Sequence, residues 1–376
     1  MLPPREKQIR ISHQFISYMT DDNGLALLDR MLRDMEDAPV IYRPTSFWSA
    51  ASKLIVADLR KLGMRNFRTH PSARQMYIQG YGSASRMVRF LSKLFALGPR
   101  RYRDISTTIL QPYLHGSAIN KADYRVFLAA ETDKSPRLSH LSESGFGEPG
   151  PAHQFSFNGK QYSPSFLSYL RGLTFLKKLT STEEIESAIE IGGGYGTLGE
   201  ILLKCTDKEY FYVDVDIPPL AYVATRYLQE VFGPTNIATY EQTRTMDVID
   251  LRELRKQYRA VVLGSWQLPR VVGSAELFVN FISFQEMEPD VVKNYAHHVQ
   301  RLTTKYVLLR NSVSGKNVAT TRDEIGVAVP VVRADYITAF DAFELIGADS
   351  EAFGHRAYNG AVSECMVFQK KAQSQS

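Results

Sequence analysis

Residues 187–199 read Ser-Ala-Ile-Glu-Ile-Gly-Gly-Gly-Tyr-Gly-Thr-Leu-Gly, with five glycines between an apolar run and an amphipathic one. Strand, glycine turn and helix in that order seat a ligand at the carboxyl end of a strand. Glycine adopts positive φ without steric cost and lets backbone approach a ligand closely. The segments around this turn keep the same rhythm. Strands are predicted at Ser187–Ile191, Tyr210–Val215, Ala260–Gly264, Leu277–Phe281 and Tyr306–Arg310. Helices are predicted at Pro164–Leu179, Leu198–Lys204, Leu220–Phe232 and Pro289–Leu302. Strands alternating with helices imply right-handed crossovers and a mostly parallel sheet covered on both faces.

Two further apolar strands, Phe343–Ile346 and Ala361–Gln369, suit an antiparallel hairpin on the sheet edge. The expectation is an α/β fold: a Rossmann-like, seven-stranded, mostly parallel sheet with an antiparallel C-terminal hairpin, plus a mainly helical N-terminal domain. The first 130 residues supply that domain, with apolar residues three and four apart over Gly24–Asp37 and Thr45–Leu62, Ser46 capping the second. A Ser-, Gly- and Pro-rich loop from Lys134 to Pro151 marks the boundary, giving domains 1–150 and 151–376. No 20–50-residue period recurs, which excludes a solenoid or propeller.

The chain has 376 residues, 44% hydrophobic and 23% charged, enough for a full buried core. Two cysteines, Cys205 and Cys365, cannot form a disulfide framework, which points to a reducing compartment. The N-terminus lacks a signal-peptide apolar run and no stretch reaches the roughly 18 residues of a membrane span. A cytoplasmic protein with no transmembrane segment is expected.

Net charge is +5, but eleven Lys and Arg and no Asp or Glu fall between Leu59 and Arg103. Solvated helix faces, a pocket for an anionic substrate and contact with anionic lipid all fit such a window. Met87–Leu97 is amphipathic enough to support the lipid reading. No nucleic-acid signature accompanies the charge, so nucleic acid is not an expected partner.

Two cofactor patterns overlap in the glycine turn. Gly194-Tyr-Gly196-Thr-Leu-Gly199 satisfies G-x-G-x-x-G, the dinucleotide fingerprint of NAD(P)-dependent oxidoreductases. Glu190-x-Gly192-x-Gly194-x-Gly196 is the acid-plus-three-glycine pattern of S-adenosylmethionine (SAM) methyltransferases. A turn needed only for packing is the third possibility. SAM carries an ammonium and a sulfonium and no phosphate, so the Glu190 carboxylate favours it over a pyrophosphate. Asp216, closing the next strand, can accept both ribose hydroxyls, with Asp214 as its competitor.

These residues resemble class I SAM-dependent methyltransferases, and more narrowly the bacterial putative sugar O-methyltransferase family. The narrower resemblance is carried by Glu190–Gly199, Asp216-Ile217-Pro218 and Asn280-Phe-Ile-Ser-Phe-Gln-Glu-Met287 with Asn294-Tyr295. Ser46-Phe-Trp48 and Gly63–Arg68 extend it, so it spans about residues 40–370. It implies a SAM site built from Glu190, Gly192, Gly194, Tyr195, Gly196, Asp216 and Ile217, with Ser265, Trp266 and Gln267 beside the adenine. An acid often stands where this chain has Ser265. The activity implied is O-methylation of a sugar hydroxyl in a nucleotide-linked or glycan precursor, in polysaccharide biosynthesis.

Methyl transfer is an in-line displacement and depends mainly on positioning. A sugar hydroxyl also needs a base for its proton. The loop after Asn280–Phe281 offers Ser283, Gln285 and Glu286, with Glu286 as candidate base and Gln285 orienting the acceptor. Alternatively, Glu286 is a helix N-terminal acid. His297 and His298 are rival bases. Arg310 and Asn311, and Arg65, Arg68 and Arg74 from the basic window, are candidate contacts for an acceptor carrying an anionic group. No spacing suggests a metal site. A non-catalytic SAM-binding scaffold and a homo-oligomer remain open.

Overall fold

The computed structural model describes residues 23–77, 86–114, 116–149, 153–320, 325–356 and 360–372. Segments 1–22 and 150–152, the second of which holds the expected domain boundary, lie outside these residues. Ten helices matter here: α1 (Asn23–Glu36), α2 (Ser46–Leu62), α3 (Pro71–Met76), α4 (Arg86–Leu97), α5 (Arg100–Ile105), α6 (Ser117–Ala130), α7 (Pro164–Leu179), α8 (Thr197–Lys204), α9 (Pro218–Phe232) and α10 (Pro289–Leu302). The strands of the main sheet are β1 (Ser187–Ile191), β2 (Phe211–Asp216), β3 (Ile237–Ala238), β4 (Ala260–Gly264), β5 (Ala275–Phe281), β6 (Thr303–Ser312), β7 (Phe343–Asp349), β8 (His355–Arg356) and β9 (Val362–Lys370).

The sheet runs β7-β9-β6-β5-β1-β2-β4-β3, with β8 pairing on β9. β1 through β6 pair in parallel, and β9 is antiparallel to β6, β7 and β8. The sheet therefore holds nine strands rather than the expected seven. The two additions, β3 and β8, are two residues long, too short to leave any period in the sequence. The C-terminal pair is also more than an edge hairpin: β9 inserts between β6 and β7.

β1, β2 and β4 are buried at every position, as expected for parallel strands covered on both faces. Local chemistry sets the helix starts. Ser163 Oγ accepts from Phe166 N at 3.1 Å and Pro164 occupies the first turn of α7. Ser46, expected as a cap, is instead the first residue of α2. Thr45 stands at the cap, and its hydroxyl donates to the Glu286 carbonyl at 2.9 Å, tying α2 to the loop after β5. On one sheet face, Leu28, Trp48, Ile55 and Phe67 share a buried cluster with Leu198, Tyr212 and Leu228. The other face packs Ile189, Val213, Phe278 and Phe284 under Val299 and Phe340. The N-terminal helices α1 and α2 thus share their core with one face of the sheet. Among the described residues no helix is long and apolar enough to cross a membrane.

Candidate functional site

A cavity of about 310 Å³ opens at the carboxyl ends of β1, β2, β5 and β6. One side is the glycine turn, with Gly192, Gly193, Gly194 and Tyr195, together with Asp216 and Ile217. The lining also holds Gln285, Glu286, Arg310 and Lys316, with Trp48, Met76 and Tyr77 from the N-terminal part of the chain.

Two glycines are required by space and by φ. Gly192 has φ +75°, and a Cβ there would stand 2.1 Å from Ser283 Oγ. Gly194 has φ +65° and nothing of the protein within 4 Å of where its Cβ would be, although it lines the cavity. The first is held tight by protein and the second leaves room for a ligand.

The loop amides decide what that ligand can be. At a dinucleotide turn they donate to pyrophosphate. Here Gly193 N donates to Asp214 Oδ1 at 3.3 Å and Gly194 N to Asp216 Oδ2 at 3.1 Å, while Gly192 N donates to the Val215 carbonyl. Each glycine amide is directed at an acceptor, two of them carboxylates. Asp216 Oδ1 also accepts from Ile217 N at 2.7 Å. Burial pushes Asp216 up to about 7 against these two amides, with Glu190 and Glu286 adding to the rise. Asp214 is raised well above its ordinary value, by burial first and then by Asp216 and Glu190. Such a site favours a cation and opposes an anion.

Asp216, as the last residue of its strand, reaches the cavity, and Asp214 remains behind the turn. Glu190 departs from expectation. It lies outside the cavity lining, and its oxygens accept from Tyr169 Oη at 2.6 Å and Tyr212 Oη at 2.5 Å. Burial outweighs these phenols and raises it to about 7. Its charge reaches the cavity by raising Asp216. Gly196, at φ +90°, caps α8 against Leu228.

The loop after β5 is built by a polar seam. Asn280 Nδ2 donates to the Ile191 carbonyl and to Ser283 Oγ; Asn311 Nδ2 donates to Asn280 Oδ1 at 3.0 Å. Asn311 Oδ1 accepts from Gln285 N, and Gln285 Oε1 from Ser312 N. Ile282 is held at φ +74°, a strained conformation for a β-branched residue. Glu286 thereby enters the cavity with Oε1 3.0 Å from Lys316 Nζ, and Trp48 shares the cavity lining with it. Burial raises its pKa, partly offset by Lys316 and Trp48.

Several expected residues are elsewhere. Asn311 is fully buried in the seam, outside the cavity. His297 is exposed on α10, off the cavity. His298 is bound to Tyr42 Oη at 2.7 Å and held down to about 4 by burial and the neighbouring Arg301 and His297. Ser265, Trp266 and Gln267 lie outside the lining: Ser265 Oγ donates to the Tyr42 carbonyl, Trp266 packs on Tyr240, and Gln267 bridges Gly264 N and Thr243. Arg65 is exposed beside Glu148, and Arg74 is exposed on α3. Arg310 lines the cavity and donates to Ser168 Oγ.

Arg68 is 1% exposed and structural. It donates to Glu143 Oε1 at 3.1 Å and Tyr227 Oη at 2.6 Å, and Tyr195 Oη donates to the same Glu143 oxygen at 2.9 Å. This network fixes the glycine turn from behind. Arg68→Met should lower unfolding free energy by about 3–5 kcal/mol in urea titration, since it leaves Glu143 buried without its cation. Unchanged stability with a raised acceptor KM would restore a substrate role to Arg68.

Sequence reasoning missed Lys316 and Tyr77. Tyr77 Oη is buried without a hydrogen-bond partner among the described residues, in a side chain lining the cavity, so it can serve a ligand. Among those residues no group of three His, Cys, Asp or Glu is placed to hold a metal.

No family model matches the chain, and no curated relative does. Among similar solved structures is magnesium protoporphyrin IX methyltransferase from Synechocystis PCC 6803 with bound SAH. It is 12% identical at TM-score 0.38 and covers 55% of this chain and 84% of its own. The mitomycin 7-O-methyltransferase is 11% identical at TM-score 0.35, over 96% of this chain and 76% of its own. Geranyl diphosphate C-methyltransferase from Streptomyces coelicolor A3(2), solved with Mg2+, a geranyl thiolodiphosphate and SAH, is 9% identical at TM-score 0.37. The match covers 77% of this chain and 99% of that one. All three are methyltransferases.

Proposed function

We propose that this chain is a SAM-dependent O-methyltransferase whose acceptor is a sugar hydroxyl of a nucleotide-linked or glycan precursor. The observation that carries the reading is the capture of the Gly193 and Gly194 amides by Asp214 and Asp216. It leaves a pyrophosphate without these donors and sets carboxylates where a cation gains. Gly192, Gly194, Tyr195, Asp216 and Ile217 fit the cofactor, with the open side of Gly194 and the unpartnered Tyr77 hydroxyl as its room and its polar contact. SAM, when bound, supplies a methyl group on a sulfonium, activated for displacement.

The chain's own residues do the rest. Glu286 accepts the acceptor's hydroxyl proton, and Gln285, fixed by Ser312 N, orients the oxygen. Arg310 and, in place of Arg65 and Arg68, Lys316 are the cations that receive an anionic group on the acceptor. In this reading residues 1–150 form the acceptor side through Trp48 and Met76, and residues 151–376, together with Tyr77, form the cofactor side. A cytoplasmic setting accords with two buried free cysteines.

The test is transfer of a labelled methyl from SAM to a panel of sugar nucleotides and glycans, with matched formation of S-adenosylhomocysteine. Transfer to a sugar hydroxyl is expected. Tight SAM binding without product on any hydroxylated acceptor would favour a scaffold, and product only on carbon, nitrogen or sulfur would refute O-methylation.

A further inference from the structure

We propose that the helical hairpin α4–α5 docks on an anionic lipid bilayer, an inference independent of the cavity's chemistry. The two helices fold back at Gly98–Pro99, with the Phe95 and Tyr102 rings 5.7 Å apart. Phe90, Leu91, Leu94 and Leu97 recur at one- and three-residue spacing along α4, yet they face water: Phe90 is 61% and Leu97 85% exposed. Tyr102 and Ile105 continue the exposed apolar surface on α5. A soluble helix ordinarily turns such a stripe inward.

The charge around the stripe identifies the occupant. Residues 93–105 carry Lys93, Arg100, Arg101 and Arg103 against one acid, Asp104, for a net +3. Lys93, Arg101 and Arg103 are exposed, and among the described residues none has a carboxylate within ion-pair distance. Arg100 approaches Asp104 only at 3.9 Å. A second copy meeting this face across a two-fold axis would bring like cations together. An apolar face of Phe and Leu rimmed by Lys and Arg instead matches the headgroup boundary of an anionic membrane, where apolar burial and basic contacts add. The side chains of Arg86 and Arg89 lie outside the described ones.

The experiment is flotation of the full chain with vesicles of phosphatidylcholine alone or with 30% phosphatidylglycerol, at low and high salt. Binding is expected on the anionic vesicles, falling at least about tenfold on neutral ones or at high salt. Arg101→Gln with Arg103→Gln should weaken it about 30-fold. Phe90→Ser with Leu94→Ser should weaken it at least about tenfold. Thermal melts of both variants check that the fold persists. Absence of vesicle binding by the parent chain overturns the proposal. So does binding that ignores the apolar variant, which marks unspecific charge attraction, and so does a dimer that the variants dissociate without any lipid effect.

Discussion

Glu286→Gln should lower turnover by about 10²–10⁴ while leaving SAM affinity nearly unchanged. The amide has the shape of the carboxylate, can still meet Lys316 and Trp48, and cannot take the acceptor's proton. The distinction rests on position, because Glu286 stands on the loop after β5 beside Lys316 and is not part of the glycine turn. Its raised pKa sets the pH dependence. A base works deprotonated, so activity should fall as pH drops through that raised value. Lys316 holds the value down, so Lys316→Met should move the acid limb of the kcat profile to higher pH. An undiminished rate for the Gln variant, or an acid limb that stays in place without Lys316, would remove Glu286 from the chemistry. Lys316→Met should also raise KM for an acceptor bearing an anionic group.

The second large effect separates two neighbouring glycines. Gly192→Ala forces a Cβ into Ser283 Oγ at 2.1 Å and an alanine to φ +75°. Left-handed backbone costs about 1–2 kcal/mol and overpacking about 1–3 kcal/mol. Urea titration should therefore register a loss of about 2–5 kcal/mol, and the seam through Asn280 and Asn311 should shift with it. Gly194→Ala meets no protein atom, so only the backbone cost of about 1–2 kcal/mol applies to folding. Its methyl enters the cavity, and SAM affinity should fall about 10–100-fold. Equal stability losses with equal binding losses would mean that the turn serves packing and not a ligand.

The parts legible in the sequence were those written as local spacing. The strand–glycine–helix turn, Asp216 closing β2 and the Ser-Phe-Gln-Glu loop after β5 all line the cavity, because each lies where a strand ends and its side chains leave the sheet. Burial was not legible. Arg68 sits in a dense basic window that reads as solvated or ligand-facing, yet Glu143, Tyr195 and Tyr227 from distant segments enclose it. Asn311 follows Arg310 in chain order but points the other way on β6, into the seam. Glu190 stands at the right place in the motif, but the phenols of Tyr169 and Tyr212 that take up its oxygens come from α7 and β2. Lys316 arrives on the loop after β6, where no periodicity or motif marks it. Ser265, Trp266 and Gln267 were placed by analogy with a strand end, and the hydrogen bond that ties Ser265 to the Tyr42 carbonyl comes from a segment far away in sequence.

Isothermal titration of the full chain with SAM and with NAD near pH 7, in buffers of different ionisation enthalpy, tests the charge argument. Asp216 lines the cavity with its pKa raised to about 7, so a bound cation must pull that value down and drive off protons. SAM should bind at one site with net proton release and with affinity that rises through pH 7, while NAD gives no saturable heat. NAD binding with SAM silent, or SAM binding with proton uptake, would contradict a turn whose carboxylates receive a positively charged ligand.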